Sequence, residues 1–451
     1  MLAIAMRLQD RGFDTVVSIA EPYVDLARAA DVTPFVGVSS QRFEELLGQS
    51  EVWRPFRGAR RLLTWAADEW TPQQLRCIGR FHRPGRTILV AHPLDFGSRL
   101  FRQANPAIPL VDVHLAPAML RTFDDPPRMT SMWWEWRRPA WAVDCAYRLL
   151  DRFWIDPAIR PSLQKHQPTS HPDPTPPIIR RVMHRWWLSP DRVLAMYPRW
   201  FAPACERLIP QLRYCGFPLS DGPHRWPDDG TPGDRTLGDR TLGNGKTVDG
   251  KTDDVVSDRA VRSDAASDRF AKQEPSMRDP SLWQWIHTNR PFVWTSGTAH
   301  HHASAFFRRV VETASRPTLL LSSHRENLPR ETPPWCREAS FLPLSNLLPH
   351  CRGIVHHGGI GTTSAAMASG CPQAVMPMAF DQFDNAHKVT RLGIGFSFDN
   401  PRFDASHVHR RLEDPHQLEA CRRIAKRIAE ASDAASRAAD EVQSVYSDFH
   451  D

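Results

Sequence analysis

Short apolar runs bounded by turn residues alternate with helix-spaced stretches through both ends of this chain, and that alternation leaves few architectures open. In the first half the runs are 14–20, Thr33-Pro34-Phe35-Val36-Gly37-Val38, Thr87-Ile88-Leu89-Val90-Ala91 and Pro109–Leu115. In the second half they are Phe292-Val293-Trp294-Thr295, Thr318-Leu319-Leu320-Leu321, Gly353-Ile354-Val355 and Gln373-Ala374-Val375. Runs of this length without polar alternation are strands buried on both faces, and intervening helices make the sheet parallel. The 451 residues favour two or three domains. The expected fold class is therefore α/β, with two Rossmann-like domains.

A different composition separates the halves. From about Pro227 to Asp279 aromatics almost vanish and Gly233–Leu237 repeats as Gly238–Leu242. This reads as a disordered insertion in an interdomain linker. The expected domains are 1–218, a linker at 219–280, 281–415, and a tail at 416–451 with helix spacing over His416–Tyr446. Eight cysteines without a CxxC pair exclude a zinc ribbon or disulfide framework and suit a reducing cytoplasm. A net charge of +6 suits anionic ligands or an acidic membrane face and is too small to argue for nucleic acid. Trp133, Trp134, Trp136 and Trp141, interleaved with Arg137 and Arg138, read either as a loop folded onto the core or as an apolar acceptor cleft or membrane-facing patch.

The chemistry concentrates after the Gly353 run. His356-His357-Gly358-Gly359-Ile360-Gly361-Thr362-Thr363 takes a buried strand through glycines into a new helix. Glycines admit a ligand to the backbone, and the helix start offers free N–H groups to an anion. Downstream, Asp381 and Gln382 lie beyond a strand's carboxyl end, where such sheets bind ligands. Paired acceptors and donors suit sugar hydroxyls.

These residues, with Phe341-Leu342-Pro343-Leu344, Gly370–Gln373 and Gly393-Ile394-Gly395, resemble the donor-binding signature of family 1 glycosyltransferases. Gly358–Gly361 and Asp381–Ala386 are most similar to the sterol-glucosyltransferase and rhamnolipid-rhamnosyltransferase branch. The resemblance implies the GT-B fold, two Rossmann-like domains facing a cleft, and transfer of a glucose- or rhamnose-like hexose. The donor is a nucleoside diphosphate sugar, and the acceptor is a hydroxyl on an apolar or lipid molecule. Inversion is implied, with no cofactor and no metal. His357, with His356 the second candidate, would meet the donor diphosphate. Gly361, Thr362 and Thr363 would cradle it, and Ser296, Gly297 and Thr298 would approach from the other side. Phe341 and Leu342 would hold the base; Asp381, Gln382 and Asn385 would hold the sugar. His300-His301-His302 is read as a solvated or acceptor-side cluster rather than a metal site.

The family opens with a strand and a glycine loop that carries the catalytic base, whereas Met1–Ala5 aligns inside the first helix. The first strand is therefore expected to be missing, leaving a groove in the core and the base upstream of Met1. Either the true start lies upstream, or the chain binds nucleotide sugars without transferring them. His92 and Asp95, just after a strand, are read as loop residues rather than as the base.

Overall fold

The computed structural model describes residues 1–219, 279–297 and 303–449, apart from 124, 129, 131–138, 168–178, 180 and 204–208. Trp133, Trp134, Trp136, the low-complexity insertion, Thr298 and His300–His302 lie outside the described residues.

The first lobe carries two parallel sheets. Strands β1 (Val16–Ala20) and β2 (Thr33–Val38) pair with each other. Strands β3 (Leu89–Ala91), β4 (Leu110–His114), β5 (Arg192–Ala195) and β6 (Leu212–Tyr214) pair in sequence order. β4 is buried along its whole length because helices cover both faces, which is why its sequence shows no polar alternation. Between the β1 and β3 edges lies a cavity of about 880 Å³, bordered by Val16 and Ser18 on one side and Leu89 and Val90 on the other.

The second lobe is one six-stranded parallel sheet. Its strands are β7 (Phe292–Thr295), β8 (Thr318–Leu321), β9 (Cys336–Ala339), β10 (Gly353–His356), β11 (Gln373–Val375) and β12 (Gly395–Ser397). Their spatial order is β12-β11-β10-β7-β8-β9. From β7 the chain winds outward through β8 and β9, then returns to β7's other side as β10. The turns after β7 and β10 therefore diverge at a topological switch point, where an α/β sheet opens a crevice at its carboxyl edge.

The tail forms two helices, Pro415–Ala429 and Ala434–Asp448, rather than one continuous spacing. Asp433 ends the run: its carboxylate accepts from the Ala435 and Ser436 N–H groups and caps the second helix. The first helix packs Ala420 and Cys421 against the second lobe, beside Met367 and Ile394. The second helix returns to the first lobe. Its Ala434, Ala438, Val442 and Val445 pack with Ile4 and Leu8 of the helix Leu2–Gln9 and with Val111 and Val113 of β4. Among the described residues no helix is long and apolar enough to cross a membrane.

Candidate functional site

The turn after β10 is built for close approach. Gly358 has φ +92°, and a Cβ there would meet Val375 Cγ1 at 2.7 Å. Gly359 then starts the helix Ile360–Ala368 without any side-chain cap. The Thr363 N–H is bonded to Gly359 O, so the N–H groups of Ile360, Gly361 and Thr362 precede the first helical bond. A Cβ at the exposed Gly361 would have no atom within 4 Å, so this helix start faces open space. Its partial positive charge is unopposed by an acidic first-turn side chain.

The turn after β7 faces it. Ser296 is 6% exposed, and its Oγ has no hydrogen-bond partner among the described residues. Gly297 has φ +87°. The His357 ring lies between the two turns: Cβ atoms at Gly297 and Gly359 would come within 2.5 and 2.6 Å of it. Both glycines make room for that imidazole. Ser296 and His357 share a cavity of about 140 Å³ with Phe306, Met376 and Met378. A buried hydroxyl without a partner is costly, and an anion at the helix start would supply one.

The loop beyond β11 supplies the second half of the site. Asn385 Nδ2 donates to Asp381 Oδ2 at 2.8 Å and to Gly358 O at 2.9 Å, tying the carboxylate to the glycine turn. Burial pushes the Asp381 carboxyl up to about 6. Phe380 holds φ +56° and meets Trp53 of the first lobe edge-on, with centroids 6.1 Å apart. A left-handed aromatic residue is a strained choice, found where a site fixes it.

Residues 317–446 match the erythromycin biosynthesis protein CIII-like C-terminal domain. Among curated proteins, the aclacinomycin-T 2-deoxy-L-fucose transferase of Streptomyces galilaeus is 38% identical over 104 residues, covering 22% of this chain and 24% of that protein. The aligned stretch thus spans about a quarter of that relative's length. Among solved structures, the glycotransferase of kitacinnamycin superposes with TM-score 0.61 at 18% identity, covering 99% of this chain and 95% of the other. A Streptomyces sp. SF2575 glycosyltransferase complexed with thymidine diphosphate superposes with TM-score 0.55 at 14% identity, covering 98% and 95%. The chain has the GT-B glycosyltransferase fold. Its carboxyl-edge crevice in the second lobe is the candidate site.

Several expected site residues have other work in this GT-B lobe. Gly358 N–H donates to His356 Nδ1 at 3.1 Å, so Nε2 carries the proton and donates to Gln373 Oε1 at 3.0 Å. Burial drives that imidazole down to about 3, and it stays neutral. His356 positions the turn, and His357 is the one left beside the crevice. Thr363 is fully buried, which leaves Gly361 and Thr362 at the crevice. Leu342 is 1% exposed and packs in the core with Leu282 and Ile286, so only the half-buried Phe341 can offer a side chain to a base. Gln382 Oε1 accepts from the Met378 and Ala379 N–H groups and shapes the loop, and the fully buried Asn385 holds the turn and Asp381 in place, which leaves the half-buried Asp381 as the most exposed member of the three.

The motif also contains a seam that sequence reasoning missed. Asp384 and Lys388, one helical turn apart, form a buried pair at 2.9 Å, and Lys388 reaches Asp125 of the first lobe at 3.6 Å. Arg391 joins Asp125 at 2.9 Å. The i,i+4 spacing of Asp384 and Lys388 was visible, but Asp125, the second partner of Lys388 and 263 positions upstream of it, was not.

In the first lobe, His92 and Asp95 follow β3. Asp95 caps the helix Phe96–Ala104 through Ser98 N–H at 2.9 Å. His92 Nδ1 accepts from Leu94 N–H, and burial lowers the ring to about 4. Arg99 forms a buried pair with Asp112 at 2.7 Å. His114, fully buried, sits edge-on to Trp187.

Proposed function

We propose that the chain is a glycosyltransferase that moves a hexose or deoxyhexose from a nucleoside diphosphate to a hydroxyl of an apolar acceptor, with inversion. The observation that carries this reading is the convergence of the unpartnered Ser296 hydroxyl, His357 and an open helix N-terminus at the sheet's switch point. That geometry suits a leaving diphosphate. The acceptor hydroxyl gives up its proton to a general base as its oxygen attacks the anomeric carbon and the bond to the diphosphate oxygen breaks. Charge then grows on the diphosphate, where the helix dipole, His357 and Ser296 stabilise it. Asp381, held in place by the buried Asn385, meets the sugar hydroxyls, and Phe341 flanks the base. The motifs' likeness to sterol-glucosyl and rhamnolipid-rhamnosyl transferases supports an apolar or lipid acceptor. The 2-deoxy-L-fucose transferase relative supports a deoxysugar. The thymidine diphosphate complex supports a pyrimidine nucleotide.

A second reading is donor binding without transfer. The capping role of Asp95 and the backbone hydrogen bond of His92 favour it, since neither presents a free base. Incubation with thymidine and uridine diphosphate sugars and a panel of apolar alcohols, followed by mass spectrometry, separates the two. Product heavier by one sugar, with nucleotide released in proportion, supports transfer. Nucleotide binding without product from any donor supports the second reading, and absence of nucleotide binding removes both.

A further inference from the structure

Residues 140–165 form one continuous rod: an α-helix over Ala140–Leu150, a π-helical turn over Asp151–Ile155, and an α-helix over Asp156–Lys165. Its inner face is buried at Val143, Asp151, Ile155, Ile159 and Leu163, and Ile155, Ile159 and Leu163 join the first lobe's core with Trp65 and Phe96. Burial of one face leaves the other to be charged in a helix that meets only water. Here it is not. Trp141, Cys145, Leu149, Phe153, Pro157 and Pro161 follow one another in steps of four, and all six are exposed. Trp141 is 74% exposed, Leu149 52% and Phe153 69%.

A second row runs beside the first. Arg148, Arg152, Asp156, Arg160 and Gln164 also step by four. With Arg181 they border an open basin of about 730 Å³. The one carboxylate in that row is occupied: Asp156 accepts from the Arg181 and Val182 N–H groups at 2.8 and 3.1 Å. Arg148 pairs with Asp144, and Arg181 approaches the same carboxylate at 3.6 Å. Among the described residues Arg152 and Arg160 have no carboxylate partner. Among the described residues Arg152 and Arg160 therefore leave positive charge in the basin against an apolar stripe.

We propose that this face docks on an anionic lipid surface, with the Ala140–Lys165 rod lying in the headgroup plane. Trp141, Leu149 and Phe153 enter the acyl boundary, and Arg148, Arg152, Arg160 and Arg181 meet headgroup phosphates. Two side-by-side rows, one apolar and one cationic, are the pattern of a helix that lies in a membrane interface. A protein partner of ordinary composition would need no cationic row in register with the apolar one. This docking is independent of the transferase reading, because the rod contributes no residue to the donor site.

The test is flotation of the full chain with vesicles of phosphatidylcholine alone and of phosphatidylcholine mixed with phosphatidylglycerol. The chain should float with the mixed vesicles only, and added salt should release it. The double variant Arg152→Gln/Arg160→Gln should lose about fivefold in partitioning per charge at low salt. Leu149→Ser/Phe153→Ser should abolish flotation while the thermal midpoint holds. Absence of flotation by the folded wild type would overturn the proposal. So would equal flotation on neutral vesicles that the arginine changes do not alter. A self-associating species that Phe153→Ser disperses, without vesicle binding, would assign the face to a second copy and overturn it as well.

Discussion

Ser296 is the residue on which structure and chemistry make the most separable demand. Its hydroxyl is buried without a partner, so removing it relieves a desolvation cost in the empty site and removes a donor when an anion is bound. Ser296→Ala should therefore leave the thermal midpoint unchanged or raised. It should weaken nucleoside diphosphate binding by about tenfold or more, since a hydrogen bond to a charged group contributes roughly 1.5–3 kcal/mol. The two adjacent histidines separate in the same way. His356→Ala strips the Gly358 N–H and the Gln373 amide of their partner and should cost about 1–3 kcal/mol of stability in a urea titration. His357→Ala should act on ligand affinity instead. The sequence pointed to both rings, and only the resemblance put His357 ahead of His356. Side chains alternate across a strand's end, and which one turns inward depended on Gln373 in the neighbouring strand.

At the scale of elements, the glycine turn is the part of the second lobe that admits least change. Gly358→Ala would place a methyl group 2.7 Å from Val375 in a left-handed backbone. We expect a loss on the order of 1–3 kcal/mol, measured by denaturant unfolding. The strands flanking this turn were legible because they are buried on both sides and read as unbroken apolar runs: β7, β8, β10 and β11 all lie where the sequence puts them. β9 and β12 were not legible. They are the sheet's two edges, and Cys336-Arg337-Glu338-Ala339 and Gly395-Phe396-Ser397 carry no apolar run. The break in the tail was missed for a local reason. Alanine-rich spacing continues through Ala431 and Ala434, and only Asp433 as a cap separates two helices.

Across the whole molecule, Asp384, Lys388 and Asp125 bind the second lobe to the first. Lys388 is 2% exposed, so Lys388→Ala would strand a buried carboxylate. Such a loss costs about 3–5 kcal/mol, to be read from the thermal midpoint. This seam could not be read from sequence, because its two sides come from different domains. Stability should also fall on acidification. Burial lowers His92 and His387 to about 4 and His356 and His409 to about 3, all below the ordinary 6.5. Below about pH 6.5 the unfolded chain takes up protons that these folded histidines refuse, so stability is lost as pH falls from there toward 4. Asp112 and Asp381, raised to about 6, act oppositely between about pH 6 and 4 and offset part of the loss. His114, His166 and His350 are lowered as well, and Asp95, Glu338 and Asp384 are raised, so among the described residues seven histidines stand against five carboxyls and the thermal midpoint should drop between about neutral pH and about pH 5.

The account rests on a diphosphate seated between Ser296, His357 and the start of the helix Ile360–Ala368. Isothermal titration of thymidine and uridine diphosphates into the wild type, Ser296→Ala and His357→Ala tests this most directly. The account predicts saturable binding to the wild type and at least a tenfold loss in each variant, with thermal midpoints preserved. Wild-type affinity in both variants, or no binding to the folded wild type, would contradict it.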